Sequence, residues 1–177
     1  MNNNHFHIYL GGSHKDSSSW RSDFEKKIND TTQNSLYKIV CINPFYRDID
    51  ENNSDEIVSR DIAILSDSRL NYVLLKSVDC YGSLSTGTAS EMIIARSLGK
   101  PVIVLFEPIK DGAKEWVHPF SAKFSTFFTR DIDEAIQWIC NDIQSGIDHG
   151  NLQKTIASLT KGYKFPLDEY HPFNYSI

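Results

Sequence analysis

Apolar runs and amphipathic stretches alternate along this chain. Residues 7–10 form a short apolar run stopped by Gly11-Gly12 and read as a first strand. After a polar loop at 14–19, Trp20, Phe24 and Ile28 recur at every fourth position, the spacing of one helix face. Residues 37–42 predict a second strand, ended by Asn43-Pro44. Beyond a polar loop at 45–53, Ser54 with Asp55 and Glu56 marks a helix start, and Ile57, Val58, Ile62 and Leu65 give that helix an apolar side. A third strand at 72–75 is apolar on both faces, and a loop rich in Gly, Ser and Thr spans 79–87. A third helix is predicted over 88–98, followed by Gly99 and Pro101, as helix C-termini prefer. Residues 102–106 predict a fourth strand, 107–123 an irregular loop and 124–128 a fifth strand. Asp131 opens a last core helix with Ile132, Ala135, Ile136, Ile139 and Ile143 on its apolar side. A short helix is expected over 151–162, and 163–177 form an aromatic tail.

Strand and helix in alternation argue for an open parallel sheet with helices on both faces. Strands apolar throughout belong to such buried sheets. The expected fold is an α/β, flavodoxin-like (Rossmann-like) three-layer domain with a five-stranded parallel sheet in the order 2-1-3-4-5. Residues 1–150 make that domain, and 151–177 pack on it or on a neighbouring subunit. In such sheets ligands bind beyond the carboxyl ends of the strands, where the strand order reverses. That point lies between strands one and three. The loops that follow them, Gly11-Gly12-Ser13 and the segment from Asp79 to Gly87, are both rich in small polar residues.

Composition narrows the partners. The chain has 177 residues, 40% hydrophobic and 23% charged, with a net charge of −5. Its basic residues are scattered, which excludes the basic patch that grips a nucleic-acid polymer. Cys41, Cys80 and Cys140 match no zinc or disulfide spacing. Cys41 and Cys140 sit in apolar stretches and read as small core residues of a reducing compartment. The first residues, Met1 to His5, lack the basic head and apolar run of a signal peptide. No segment approaches the roughly 18 apolar residues of a membrane span. The expected location is the cytoplasm.

The third loop carries the candidate chemistry. Gly87 lets backbone pass close to a ligand. Thr88 is expected to begin a helix whose amides and dipole favour an anion. Glu91, one turn in, is placed to attack an electrophilic carbon, as the nucleophile of a retaining glycosidase does. The same spacing, Thr88-x-x-Glu91, is also a capping box, in which Glu91 only bonds the cap amide. Asp61 falls on or beside the apolar stripe of the second helix, where it either assists a leaving group or pairs with Arg60. Asp67 lies at that helix's end. Tyr9, near the end of the first strand, is either a ligand contact or a core tyrosine. His5 and His7 share a strand face, but two histidines without a third ligand are weak evidence for a metal.

Three elements together resemble the nucleoside 2-deoxyribosyltransferase family, which includes the related 2'-deoxynucleoside 5'-phosphate N-hydrolases. They are Ile8-Tyr9-Leu10-Gly11-Gly12-Ser13, Arg60-Asp61 followed six residues later by Asp67, and Gly87-Thr88-Ala89-Ser90-Glu91. The stretch from Ala95 to Val104, with Gly99-Lys100-Pro101-Val102 inside it, extends the last match. The resemblance covers roughly residues 6–140. It implies a flavodoxin-like fold, no metal or organic cofactor, and Glu91 as the nucleophile that attacks C1' of the deoxyribose. It also implies that Asp61 assists the departing base and that Tyr9 orients the nucleophile. Gly11, Gly12 and Ser13 would line the base or sugar pocket. Asp67, Asp79, Ser85, Thr86, Gly87 and Thr88 complete the candidate substrate contacts.

One position departs from the transferase pattern. Six residues before the nucleophile the transferases carry an aspartate that holds the sugar's 5'-hydroxyl, and here stands Ser85. The N-hydrolases are similar in having serine there to receive a 5'-phosphate. The expected function is therefore cleavage of a 2'-deoxynucleoside's N-glycosidic bond with transfer of the sugar to another base. The alternatives are hydrolysis of a deoxynucleoside 5'-monophosphate, and a nucleotide-binding sensor without turnover. The expected partners are a small deoxynucleoside or deoxynucleotide and a free nucleobase, with no nucleic-acid polymer and no membrane. A homo-oligomer is expected, with the aromatic tail of Tyr163, Phe165, Tyr170, Phe173 and Tyr175 reaching a neighbour's site or covering an interface.

Overall fold

The hydrophobic alternation is realised as a single five-stranded sheet of parallel strands in the order β2-β1-β3-β4-β5. In chain order the elements are β1 (Asn4–Gly12), α1 (Trp20–Thr32), β2 (Tyr37–Ile42), α2 (Ser54–Ser66), β3 (Leu70–Lys76), α3 (Thr86–Ser97), β4 (Val102–Leu105), α4 (Pro119–Phe124), β5 (Phe127–Thr129), α5 (Ile132–Ser145) and α6 (Leu152–Thr160). This is a flavodoxin-like α/β fold. The computed structural model describes residues 4–12, 19–44, 53–77, 84–109 and 117–161. The predicted loops at 14–19 and 45–53 and the aromatic tail lie largely outside the described residues, as does Cys80.

Alternate residues of the central strands face opposite layers. Ile8, Leu10, Tyr72, Leu74, Ile103 and Leu105 pack with Trp20, Phe24 and Ile28 of α1 and with Ala135, Ile136 and Ile139 of α5. Tyr9, Val73, Leu75, Val102 and Val104 pack on the other face with Leu65 of α2 and with Met92 and Ala95 of α3. Each fully buried aliphatic side chain contributes about 1.5–3 kcal/mol. Cys140 joins the first cluster and Cys41 packs at its margin. Among the described residues, no helix is long and apolar enough to cross a membrane.

Three expectations change. The segment 107–123 is not irregular throughout, because Pro119 starts the short helix α4, whose amide at Phe120 is capped by His118 Nδ1 at 3.3 Å. Six residues are too few to show a helical period. Phe124 therefore ends α4, and β5 begins only at Phe127. The apolar side of α2 is buried at Leu65 alone, while Val58 and Ile62 are 54% and 43% exposed.

The last described helix is tethered through polar groups. Arg96 of α3 donates to the Gly150 carbonyl at 3.1 Å and to Thr155 Oγ1 at 3.3 Å. Asp142 of α5, 8% exposed, accepts from the Tyr72 hydroxyl at 2.9 Å and meets His149 Nε2 at 2.5 Å.

Candidate functional site

The strand order reverses at β1, which has β2 on one side and β3 on the other. At the carboxyl edge Gly11 lies opposite Leu75, and Gly12 opposite Lys76. Gly12 has φ +142°, and a Cβ there would stand 2.9 Å from the Lys76 carbonyl oxygen. Glycine is what lets the two strands close up at the crevice mouth.

The start of α3 is set by Ser85, not by Thr88. The Ser85 hydroxyl caps the helix by accepting from the Thr88 amide at 3.3 Å, and pairs with Thr88 Oγ1 at 2.9 Å. That displaces the capping-box arrangement. Glu91 falls in the second turn and does not bond the cap amide. Instead its Oε1 accepts a 2.6 Å hydrogen bond from the Tyr9 hydroxyl. Tyr9 itself is fully buried. Its ring is a core side chain, and its hydroxyl is spent on Glu91.

The second carboxylate oxygen, Oε2, is inaccessible to solvent and has no hydrogen-bond partner among the described residues. It lies where a side chain on Gly11 would go: a Cβ there would be 2.9 Å from Oε2 and 2.6 Å from both Tyr9 Cε1 and Leu75 Cδ2. Leaving a buried carboxylate oxygen unbonded is costly. Burial is accordingly the chief reason that the Glu91 carboxyl is pushed up to about 7. The Tyr9 hydrogen bond pulls it back, Asp61 pushes it further, and the guanidinium groups of Arg21 and Arg60 pull it back. The Tyr9 phenol is held far above its usual range by burial and by the Glu91 and Asp61 charges, so it stays a donor.

Asp61, on α2, acts on this carboxylate through its charge. It is ion-paired with its neighbour Arg60, Nη2 to Oδ1 at 2.7 Å, and both side chains are less than one-fifth exposed. The pairing with Arg60 is present, and the Asp61 charge also bears on Glu91.

Arg21 is the member that the helical pattern concealed. It is 8% exposed in the first turn of α1, and its Nε donates to the Leu10 carbonyl at 3.0 Å. Its guanidinium also stacks 4.7 Å over the Trp20 ring. The signal was present, because residues 21, 24 and 28 share one helical face, and a cation on an apolar stripe needs a partner.

The remaining candidates divide. Ser85, Thr86 and Gly87 are exposed at the α3 N-terminus, Thr88 is buried beneath them, and a Cβ at Gly87 would meet nothing within 4 Å. Ser13 and Asp79 lie outside the described residues. Asp67 is not brought to the crevice. It ends α2 near the amino end of β3, where Leu70 N donates to its carbonyl. There its carboxylate binds Arg69 at 2.6 Å, which holds it below the usual carboxylate range, and Lys100 Nζ donates to its carbonyl at 2.9 Å. Asp61 lies in the middle of α2 and Asp67 is its carboxyl-terminal cap, about 9 Å further along the axis.

Among the described residues no three of His, Cys, Asp and Glu group as metal ligands. A separate cleft of about 440 Å³ opens beyond β4 and β5, lined by Lys76, Glu107, Arg130 and Asp133 among others. It contains neither Glu91 nor Tyr9, and its charges pair across it, Lys76 with Glu107 and Lys27 with Asp133.

No protein-family model matches the chain, and no curated protein matches it. Among solved structures, a conserved protein from Enterococcus faecalis V583 aligns with a TM-score of 0.59 at 12% identity, over 77% of this chain and 98% of that one. The CMP N-glycosidase BcmB of Clostridium botulinum aligns at a TM-score of 0.41 and 12% identity, over 75% and 97% of the two chains. A 2-deoxyribosyltransferase from Bacillus psychrosaccharolyticus aligns at 0.45 and 13%, over 73% and 90%. The chain is thus a flavodoxin-like domain that shares the fold of the E. faecalis protein, with a buried glutamate–tyrosine pair at the crevice between β1 and β3.

Proposed function

We propose that this protein cleaves the N-glycosidic bond of a 2'-deoxynucleoside through a covalent deoxyribosyl-Glu91 intermediate and passes the sugar to another base. The observation that carries the reading is the Glu91 carboxylate itself. One oxygen is fixed by Tyr9, and the other is unpartnered beside the bare Cα of Gly11. Most buried side-chain oxygens in protein interiors are hydrogen-bonded, and a carboxylate oxygen is the costliest to leave bare.

In the first step Glu91 attacks C1', and the C1'–N bond breaks with its electron pair passing to the base. Asp61, steadied by Arg60, supplies the hydrogen bond or proton that the base needs to leave. The developing oxocarbenium charge is offset by the neighbouring carboxylates. In the second step a ring nitrogen of the incoming base attacks C1', the Glu91 carboxylate leaves, and the acceptor's proton returns through Asp61. Tyr9 donates to Glu91 throughout, which keeps the attacking atom in place.

Ser85 favours a second reading, hydrolysis of a deoxynucleoside 5'-monophosphate, with water in place of the acceptor base. Its hydroxyl and that of Thr88 pair at the N-terminus of a 12-residue helix, with open space above Gly87. Hydroxyls and helix-terminal amides suit a phosphate there.

Incubation with a deoxynucleoside plus a different free base, and in parallel with deoxynucleoside monophosphates, separates these readings when products are resolved by chromatography. A new nucleoside supports transfer, and base released only from monophosphates supports hydrolysis. No product from either set would sink both and favour the sensor. A homo-oligomer belongs to this reading, with Val58 and Ile62 of α2 as exposed apolar side chains that a second copy would cover. Sedimentation of the wild type and of Ile62→Asp checks it.

A further inference from the structure

Arg21 is a buried cation in the first turn of α1, on the sheet face opposite Glu91's helix. β2 ends at Ile42, opposite Tyr9, so Leu10 and Gly11 extend past the last paired residue on that side. There the Arg21 Nε takes the Leu10 carbonyl at 3.0 Å, and the Trp20 ring supports the guanidinium from below. The backbone it holds lies between the two features on which the site depends. Tyr9 precedes Leu10 and donates to Glu91, and Gly11 follows Leu10 and leaves room for Glu91 Oε2. A displaced Leu10–Gly11 peptide would close the space beside that oxygen.

We propose that Arg21 is a positioning residue of the Glu91 site, which fixes the Leu10–Gly11 backbone around the carboxylate and places a compensating buried charge behind it. The proposal rests on Glu91 as the nucleophile for its effect on turnover, but not for its effect on the carboxylate. A tight site with one carboxylate oxygen unbonded needs both devices. The backbone must not move, and positive charge must come from groups that do not occupy the space where a sugar carbon arrives. Arg21 meets both conditions because it acts through the strand. The charged and titratable groups that face Glu91 are Tyr9 from β1, Asp61 and Arg60 from α2, and Arg21 from α1. Of these cations, Arg60 is ion-paired with Asp61, and Arg21 donates to the Leu10 carbonyl and stacks on the Trp20 ring.

The test follows Glu91 directly. Protein labelled with carboxyl-¹³C glutamate is titrated by NMR, with the Glu91 signal assigned from Glu91→Gln, and base release is measured alongside. Arg21→Met is expected to raise the Glu91 midpoint by about one pH unit and to lower kcat with little change in KM. Arg21→Lys, which keeps the charge but lacks the Nε donor, is expected to hold the midpoint near wild type and to recover only part of kcat. A folded Arg21→Met with an unmoved midpoint would overturn the proposal and leave Arg21 a helix tether. If Arg21→Met does not fold, Arg21→Lys decides, since unchanged kcat overturns the positioning role. Failure of the nucleophile reading is distinguishable: it appears as turnover retained in Glu91→Ala, whatever the midpoint does.

Discussion

The Tyr9 hydroxyl donates to Glu91 Oε1 at 2.6 Å across 82 positions of sequence. This bond joins the end of β1 to the second turn of α3 and defines the crevice. A hydrogen bond to a charged group is worth about 1.5–3 kcal/mol. Tyr9→Phe removes it, so the Glu91 midpoint should move above 7. Base release at neutral pH is expected to fall by about tenfold, with partial recovery in alkaline buffer. Loss of activity that alkaline pH does not relieve would mean that Tyr9 acts by packing alone.

Asp61 pushes Glu91 up, the opposite of Tyr9's effect. A nucleophile works ionised, so kcat/KM of the wild type should rise with pH and level off above about 7. In Asp61→Asn the rise should come at lower pH while the plateau drops, because the leaving base loses its partner. A pH profile of the two proteins checks both features.

Glu91 should also cost the fold stability, and the sign follows from its protonation. The carboxyl rises from 4.5 in the unfolded chain to about 7 in the folded one. Between those values the folded state binds more protons, so stability falls as pH rises, and it stays low above about 7. A rise of that size corresponds to about 3 kcal/mol. Glu91→Gln should therefore abolish turnover, match the wild type's urea midpoint at low pH and exceed it above neutrality. Equal midpoints at both pH values would show that the carboxylate is not strained by burial.

Gly11→Ala tests the space beside Oε2. Its Cβ would stand 2.6 Å from Tyr9 Cε1 and Leu75 Cδ2 and 2.9 Å from the carboxylate. Overpacking of this kind costs about 1–3 kcal/mol. The expected result is a lowered melting temperature together with loss of base release, measured by calorimetry and chromatography. An active Gly11→Ala would place the reacting carbon elsewhere.

Ser85→Asp tests the 5'-group. Aspartate caps a helix as well as serine does, so α3 should persist by circular dichroism. Its charge repels a phosphate, so cleavage of monophosphates should fall by at least about tenfold while cleavage of free nucleosides is kept. Unchanged monophosphate cleavage would remove Ser85 from the substrate's reach.

The sequence by itself determined the layers of this protein. Runs such as residues 72–75 and 102–106 are apolar on both faces, and only a parallel sheet covered by helices buries such runs. Gly99 marked where α3 stops, whereas Gly11-Gly12, read as ending the first strand, are its last paired residues, and of those two only Gly12 takes a positive φ. The switch point followed from that order, and with it the crevice. Shorter elements were not legible: α4 has six residues, and no period can be read from one turn and a half.

Tertiary structure alone decided what the polar residues do. Thr88-x-x-Glu91 fits a capping box by spacing, yet Ser85 takes the cap and Glu91 turns to Tyr9. Asp61 lies within α2 and Asp67 at its carboxyl-terminal cap, and only the fold shows that the first pairs with Arg60 beside Glu91's crevice while the second binds Arg69. Arg21's place on the apolar face was legible, but the Leu10 carbonyl it binds was not, because every residue carries a carbonyl. Hydrophobic burial depends on local period, which a sequence displays. Hydrogen bonds and charge pairing depend on which distant atoms the fold brings within 3 Å, and that is fixed only once the sheet has closed.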